Sequence, residues 1–235
     1  MLLVSVSACA PAPEQGTATG DLARDADFAL ARQAMVAEQI EARGVTDPRV
    51  LRAMASVPRH EFVPSEYRER SYEDRPLPIG LGQTISQPYI VALMSELVAA
   101  EPSDRILEVG TGSGYQAAVA SEIAAEVYSI ELIPELASSA AERLRRLEVA
   151  NVTVRAGDGY LGWPEHAPFD GILVTAGADH VPQPLVDQLA PGARMVIPVG
   201  AGGPDQVLQV IEKRPNGEVS IEDVLPVRFV PLLRN

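Results

Sequence analysis

Cysteine is almost missing from this chain. Cys9 stands alone among 235 residues, which excludes an intrachain disulfide and a structural zinc site built on paired thiolates. Histidine is scarce too. His60, His166 and His180 lie far apart, without metal-ligating neighbours at useful spacing, so no metal is expected. Positive charge is in deficit: 19 Lys and Arg face 32 Asp and Glu, for a formal net charge of −13. A general nucleic-acid binder needs a basic face that releases counterions, so nucleic acid is not an expected partner. Arg143, Arg145 and Arg146 do cluster, and they read as a solvated helix face. No apolar run is long enough to span a membrane as a mature helix. What remains is 46% hydrophobic and 22% charged, enough to build one α/β domain with a substantial core.

Residues 1–24 stand apart as a leader or disordered segment, and 25–235 read as a single domain. Met1 to Ala8 is apolar with small residues, and Cys9 follows. That resembles the end of a bacterial lipoprotein signal, although no Lys or Arg supplies a charged n-region and the apolar stretch is short. Two readings stay open: an export signal whose start lies upstream, or a leader from a misassigned start.

Apolar spacing predicts a helix over 25–43, stopped by Gly44, and a second from Asp47-Pro48 through Met54. Residues 58–88 are rich in Pro and Gly with little periodicity. A long irregular stretch in a compact domain is usually functional or disordered. A helix is expected from Tyr89 to Ala100. Strands are then expected near 105–109, 126–131, 152–156, 169–175 and 193–199, alternating with helices near 115–124, 134–147 and 182–190. This rhythm implies a doubly wound, mostly parallel α/β sheet of the Rossmann-like kind. Residues 206–211 and 224–232 read as an antiparallel hairpin at one sheet edge, turned by Pro215-Asn216-Gly217.

The chemistry concentrates after the first strand of that alternation. Glu108-Val109-Gly110-Thr111-Gly112-Ser113-Gly114 follows an apolar run, and a second run ends about twenty residues later in Glu131. Glycines at 110, 112 and 114 let backbone approach a ligand closely, and N–H groups of the helix starting near Tyr115 add donors. A dinucleotide fingerprint needs glycine at 115, where this chain has Tyr115. Glu108 puts a carboxylate beside the ligand, which suits a cationic sulfonium amino acid better than a pyrophosphate. The cofactor is therefore read as S-adenosylmethionine, with NAD as the rejected alternative. Glu131 suits two ribose hydroxyls, or is a surface acid favoured by a helix start. Asp158, between Gly157 and Gly159, bonds an adenine amino group or makes a plain Asp-Gly turn. Thr84-Ile85-Ser86-Gln87 offers hydroxyls and N–H groups for oxygen recognition, or Ser86 caps the helix opened by Pro88. No His or acid stands near Ser86 in sequence, and G-x-S-x-G is absent, so a hydrolytic triad is not expected.

Five segments together make a more specific match: 82–88 (GQTISQP), 107–116 (LEVGTGSGYQ), 157–159 (GDG), Pro168-Phe169-Asp170 with Val174-Thr175-Ala176, and 227–232 (VRFVPL). They resemble the protein-L-isoaspartate O-methyltransferase family from about Arg32 to Leu233. The glycine motif alone indicates only a class I methyltransferase; the 84–88 and 227–232 segments are far more specific. The resemblance implies S-adenosylmethionine as cofactor and methylation of the α-carboxylate of isoaspartyl residues in proteins and peptides. It makes Ser86 the catalytic serine. Cofactor contacts fall on Thr84, Ile85, Glu108, Gly110, Thr111, Gly112, Ser113, Gly114, Glu131, Asp158 and Gly159. Substrate contacts fall on Ser86, Arg228, Phe229, Val230 and Pro231. It also implies a monomer in the cytoplasm, with the envelope or periplasm as the alternative and a membrane partner only if Cys9 carries lipid. Rival readings are a methyltransferase acting on RNA or a small molecule, a nicotinamide oxidoreductase, and a non-catalytic envelope binding protein.

Overall fold

The computed structural model describes residues 17–200 and 205–234, with side chains from residue 24 onward. The lipoprotein-like stretch Met1–Cys9 lies outside the described residues, while residues 17–24 of the leader segment already belong to the first helix. Strand β3 (Arg105–Val109), β4 (Glu126–Glu131), β5 (Val152–Ala156) and β6 (Phe169–Val174) pair in parallel, and β6 continues in parallel into β7 (Leu189–Val199). With β8 (Gln206–Lys213) and β9 (Val219–Val227) added antiparallel at one edge, the full sheet runs β5-β4-β3-β6-β7-β8-β9. Leu107, Val109, Ile172 and Val174 are buried on the central strands, as strands covered on both faces require. Burying each such side chain contributes roughly 1.5–3 kcal/mol. Helix α3 (Pro88–Leu97) leads into β3, and α4 (Tyr115–Ser121), α5 (Pro134–Arg146) and α6 (Gln183–Gln188) lie in crossovers between parallel strands. Among the described residues no helix is long and apolar enough to cross a membrane.

The N-terminal helices form as the periodicity predicts, with a local change. Helix α1 (Thr17–Ala34) widens into a π turn over Met35–Ile40, tightens to a 3-10 turn over Glu41–Arg43, and ends where Gly44 turns left-handed at φ 95°. Met35 and Ile40 are both fully buried. Their spacing of five suits a wider turn better than an α-helical one. Helix α2 (Pro48–Ser56) starts as expected, with the Asp47 carboxylate accepting from Arg49 N at 2.7 Å.

Two expectations need correction. Residues 58–88 are more ordered than their composition implies. They hold 3-10 turns at Arg59–Phe62 and Ser65–Arg70, then a small antiparallel ladder, β1 (Leu77–Gly80) and β2 (Gln83–Ile85). The buried Phe62, Tyr72, Leu77 and Ile85 tie this stretch to the core, which no periodic pattern signals. The last hairpin also shifts. Strand β8 (Gln206–Lys213) pairs with β9 (Val219–Val227), not with a strand over 224–232. Gln206 faces Val227 as the final pair among the described residues. Residues 228–232 instead cross the carboxyl edge of the sheet, where Val230 O accepts from Gly177 N and Leu232 N donates to Gly177 O, each at 2.8 Å.

Candidate active site

The carboxyl ends of β3 and β4, the residues just after β6, strand β2 and residues 230–233 line a single cleft. Its floor is the glycine loop. Gly110 N and Thr111 N both donate to Ile130 O, at 2.8 and 3.3 Å, pinning the loop to β4. Gly110 sits at φ 99°, and a Cβ there would lie 2.7 Å from Thr175 Oγ1. Only glycine fits that position without strain. Thr175 Oγ1 in turn donates to Gly110 O at 2.6 Å.

Glu131 ends β4 and is nearly buried. Its Oε2 accepts from Gly112 N at 2.8 Å and its Oε1 from Ile133 N at 3.0 Å. A carboxylate has about four acceptor sites, so each oxygen keeps capacity for a ligand hydroxyl while the backbone fixes its aim. Glu108 lines the same cleft with no exposure at all. Ser129 Oγ donates to its Oε2, and Oε1 has no partner among the described residues. Burial pushes this carboxyl up to about 8, against the lowering pull of the Ser129 bond, and the nearby Glu131 charge adds to the rise.

Thr84, Ile85 and Ser86 form one wall, supplied by β2 and the turn into α3. Among the described residues no hydrogen bond engages the Ser86 hydroxyl, so the capping role open from sequence is not used. The Ser86 carbonyl is held instead by buried Arg59. Ser113 lines the cleft while its carbonyl accepts from Arg143 Nη1 at 2.8 Å. Arg145 and Arg146 are exposed as expected, but Arg143 is half-buried and steadies the glycine loop. Gly159 lines the cleft, packed so tightly on Val109 that a Cβ would clash. Asp158 stands one residue back, with its Oδ1 accepting from Tyr160 N at 2.9 Å.

A second groove adjoins the cleft. Thr84, Ser86, Thr175 and Val230 line both spaces, and Arg228 and Phe229 line the groove together with Tyr89 and Gln206. Pro231 lies on the cleft side. No local sequence pattern marks Gln206. Its buried amide accepts from Phe229 N at 2.7 Å and donates to Phe229 O at 3.1 Å, clamping the segment that left the ladder. Arg59, Ser129 and Thr175 were also unassigned. Each acts through a contact more than ten residues away in sequence, which local patterns do not carry.

Comparison with known proteins bears directly on this arrangement. The family described as Protein-L-isoaspartate(D-aspartate) O-methyltransferase matches residues 30–235. The chain is 54% identical over 241 residues to Protein-L-isoaspartate O-methyltransferase 2 of Syntrophobacter fumaroxidans, covering 99% of this chain and 94% of the relative. It is 56% identical over 200 residues to Protein-L-isoaspartate O-methyltransferase of Gloeobacter violaceus, covering 85% and 97%. Among solved structures, a protein-L-isoaspartate O-methyltransferase superimposes with a TM-score of 0.78 at 32% identity, over 85% of this chain and 65% of that one. A Plasmodium falciparum structure described as a protein-L-isoaspartate O-methyltransferase in complex with S-adenosyl-L-homocysteine gives 0.74 at 27% identity, over 87% and 99%.

Proposed function

The chain belongs to the protein-L-isoaspartate(D-aspartate) O-methyltransferase family, and we propose that its cleft binds S-adenosylmethionine while Ser86 orients the acceptor carboxylate in the adjoining groove. The enzyme methylates the free α-carboxylate of L-isoaspartyl residues in proteins and peptides, which starts their repair through a succinimide. The observation that carries the division of labour is the shared wall: Thr84, Ser86, Thr175 and Val230 face both spaces.

The residues present fit the cofactor. Gly110 lies where a Cβ would collide with Thr175, leaving backbone free to approach a ligand. The bare Oε1 of Glu108 calls for a donor or a positive charge. Glu131 suits the ribose hydroxyls, and the free oxygen of Asp158 suits the adenine amino group. When bound, S-adenosylmethionine supplies an activated methyl: an acceptor oxygen–carbon bond forms as the sulfur–carbon bond breaks, and the electron pair stays on sulfur.

The acceptor is already ionised at neutral pH, because an α-carboxyl titrates near ~3.3–3.7. No general base is needed. Ser86 therefore donates its hydroxyl proton in a hydrogen bond that aims the carboxylate, and it is not consumed. Alignment of this kind is worth roughly 7–11 kcal/mol. Residues 228–231, clamped by Gln206, hold the peptide backbone beside it. We also read residues 25–235 as one catalytic domain working as a monomer in the cytoplasm. Mass spectrometry of the native N-terminus tests the compartment, since a lipidated Cys9 would put the enzyme in the envelope.

Methyl transfer from labelled S-adenosylmethionine to paired L-isoaspartyl and L-aspartyl peptides tests the activity. Base-labile label on the isoaspartyl peptide alone is the expected result. Label on neither, with cofactor still bound, would redirect the search to other acceptors.

A further inference from the structure

Glu108 is the next-to-last residue of β3 and is wholly buried with its neighbours Ile106, Leu107 and Val109, an expensive place for a charge. Its surroundings are paired on one side only. Ser129 is its direct neighbour across the β3–β4 ladder and donates to Oε2. Thr111 of the glycine loop lies 2.5 Å from Ser129 Oγ, so a hydroxyl chain runs from the loop through Ser129 to the carboxyl group. Oε1 is buried and has no partner among the described residues. On β6 its neighbour is Leu173, which offers no polar group. From α4 the Ala117 N–H faces it, and from the end of β4 comes Glu131, a like charge. None of these neighbours is a cation.

We propose that Glu108 is a proton-coupled charge sensor of the cofactor cleft: neutral in the empty site, it releases its proton when the cationic sulfonium amino acid enters. This rests on the reading that the cleft binds S-adenosylmethionine. The raised carboxyl, at about 8, supports the neutral empty state. Ser129 donates to Oε2 whether or not the proton is present, so ionisation bares Oε1 without rearranging the pair. The ligand then replaces the proton as the partner of the buried carboxylate, the exchange that opposite charge favours at low dielectric. After methyl transfer the sulfonium charge is gone. The carboxylate loses part of its partner and takes a proton back, so the same group favours the methyl donor over the demethylated product.

The sign of the linkage follows. A ligand that prefers ionised Glu108 binds more tightly as pH rises, by up to about tenfold per unit, until the empty site itself titrates near pH 8. Calorimetric titration of S-adenosylmethionine into the full protein, in buffers of different ionisation enthalpy at neutral pH, counts protons released per ligand. Glu108→Gln cannot ionise and subtracts protons given up by the ligand's own amino group. We expect up to one more proton released by the wild type than by E108Q, and less release with S-adenosylhomocysteine. A wild-type readout needs no variant: the infrared band of a buried protonated carboxyl should vanish on cofactor addition. Cofactor binding with equal proton counts and an unchanged carboxyl band would overturn the sensor while leaving the cofactor assignment intact. Absence of cofactor binding by the wild type would overturn both.

Discussion

Arg59 and Ser86 meet through one hydrogen bond: Nη2 of a completely buried guanidinium donates to the Ser86 carbonyl at 2.7 Å. The same guanidinium donates through Nε to Ser71 O at 2.7 Å and lies 4.8 Å from the Tyr115 ring centroid. A charge normally kept at the surface thus joins the 58–88 segment, the helix after the glycine loop and the serine at the shared wall. Arg59→Met should cost on the order of 2–4 kcal/mol of stability, because it leaves buried carbonyls unpaired. It should also lower kcat with the isoaspartyl peptide while the dissociation constant for S-adenosylmethionine holds. Urea unfolding and steady-state kinetics separate the two effects. Arg59→Lys, which keeps the charge and loses the fork, should recover only part of kcat.

Ser86→Ala should reduce turnover by roughly 10²-fold, the scale of losing alignment at a reacting centre. Cofactor affinity should stay close to wild type, since Ser86 stands beside the glycine loop and not within it. Equal losses in cofactor binding and in rate would show that the serine works on the wrong partner for this role.

Glu131→Ala should weaken S-adenosylmethionine binding first. It removes ligand acceptors and also frees Gly112 N and Ile133 N, which the carboxylate now ties. Two charge-assisted bonds at about 1.5–3 kcal/mol each predict a loss of at least ~10²-fold. Equilibrium dialysis measures it directly, and an unchanged dissociation constant would rule out the ribose assignment.

Gly110→Ala sets a methyl against Thr175 Oγ1 and forces a side chain into φ 99°. The second penalty is about 1–2 kcal/mol and stays whatever the neighbour. The first disappears when Thr175 is shortened. G110A should therefore destabilise less in a T175A background, with a coupling of about 0.5–3 kcal/mol in a double-mutant cycle. Additive costs would mean the loop moves away from Thr175 freely.

Stability of the cofactor-free enzyme should also report on Glu108. Its carboxyl lies at about 8 when folded, against an ordinary 4.5. The folded state then holds a proton that the unfolded state releases, so this contribution is lost as pH rises between those values. Wild type should lose stability relative to E108Q across that window, measured by urea midpoints at a series of pH values. Parallel curves would mean that Glu108 is ionised in the empty site.

Much of the architecture was readable locally. A strand buried on both faces announces itself as an apolar run, and Gly110, Gly112 and Gly114 mark a turn because their positive φ angles favour glycine. Glu131 was legible because the end of a strand fixes where its side chain goes. The 58–88 segment was not legible. Its order comes from Phe62, Tyr72 and Leu77 meeting partners far away in sequence, and its Pro and Gly content masks that. Residues 228–232 misled for a related reason: their apolar character suits a strand, but Gly177 and the Gln206 side chain, both distant in sequence, hold them instead.

The amino-acid sequence by itself determined the alternation of strand and helix, the glycine loop and the identity of the acids that flank it, because each depends on backbone geometry over a few residues. Tertiary structure decided the rest. It put Ser86 on a wall shared by two spaces, set Arg59 behind it, and held the Phe229 backbone with the Gln206 amide. It also left one oxygen of Glu108 buried and bare. Burial and partner, not residue type, set the protonation of a carboxyl group, and both are properties of the folded chain alone.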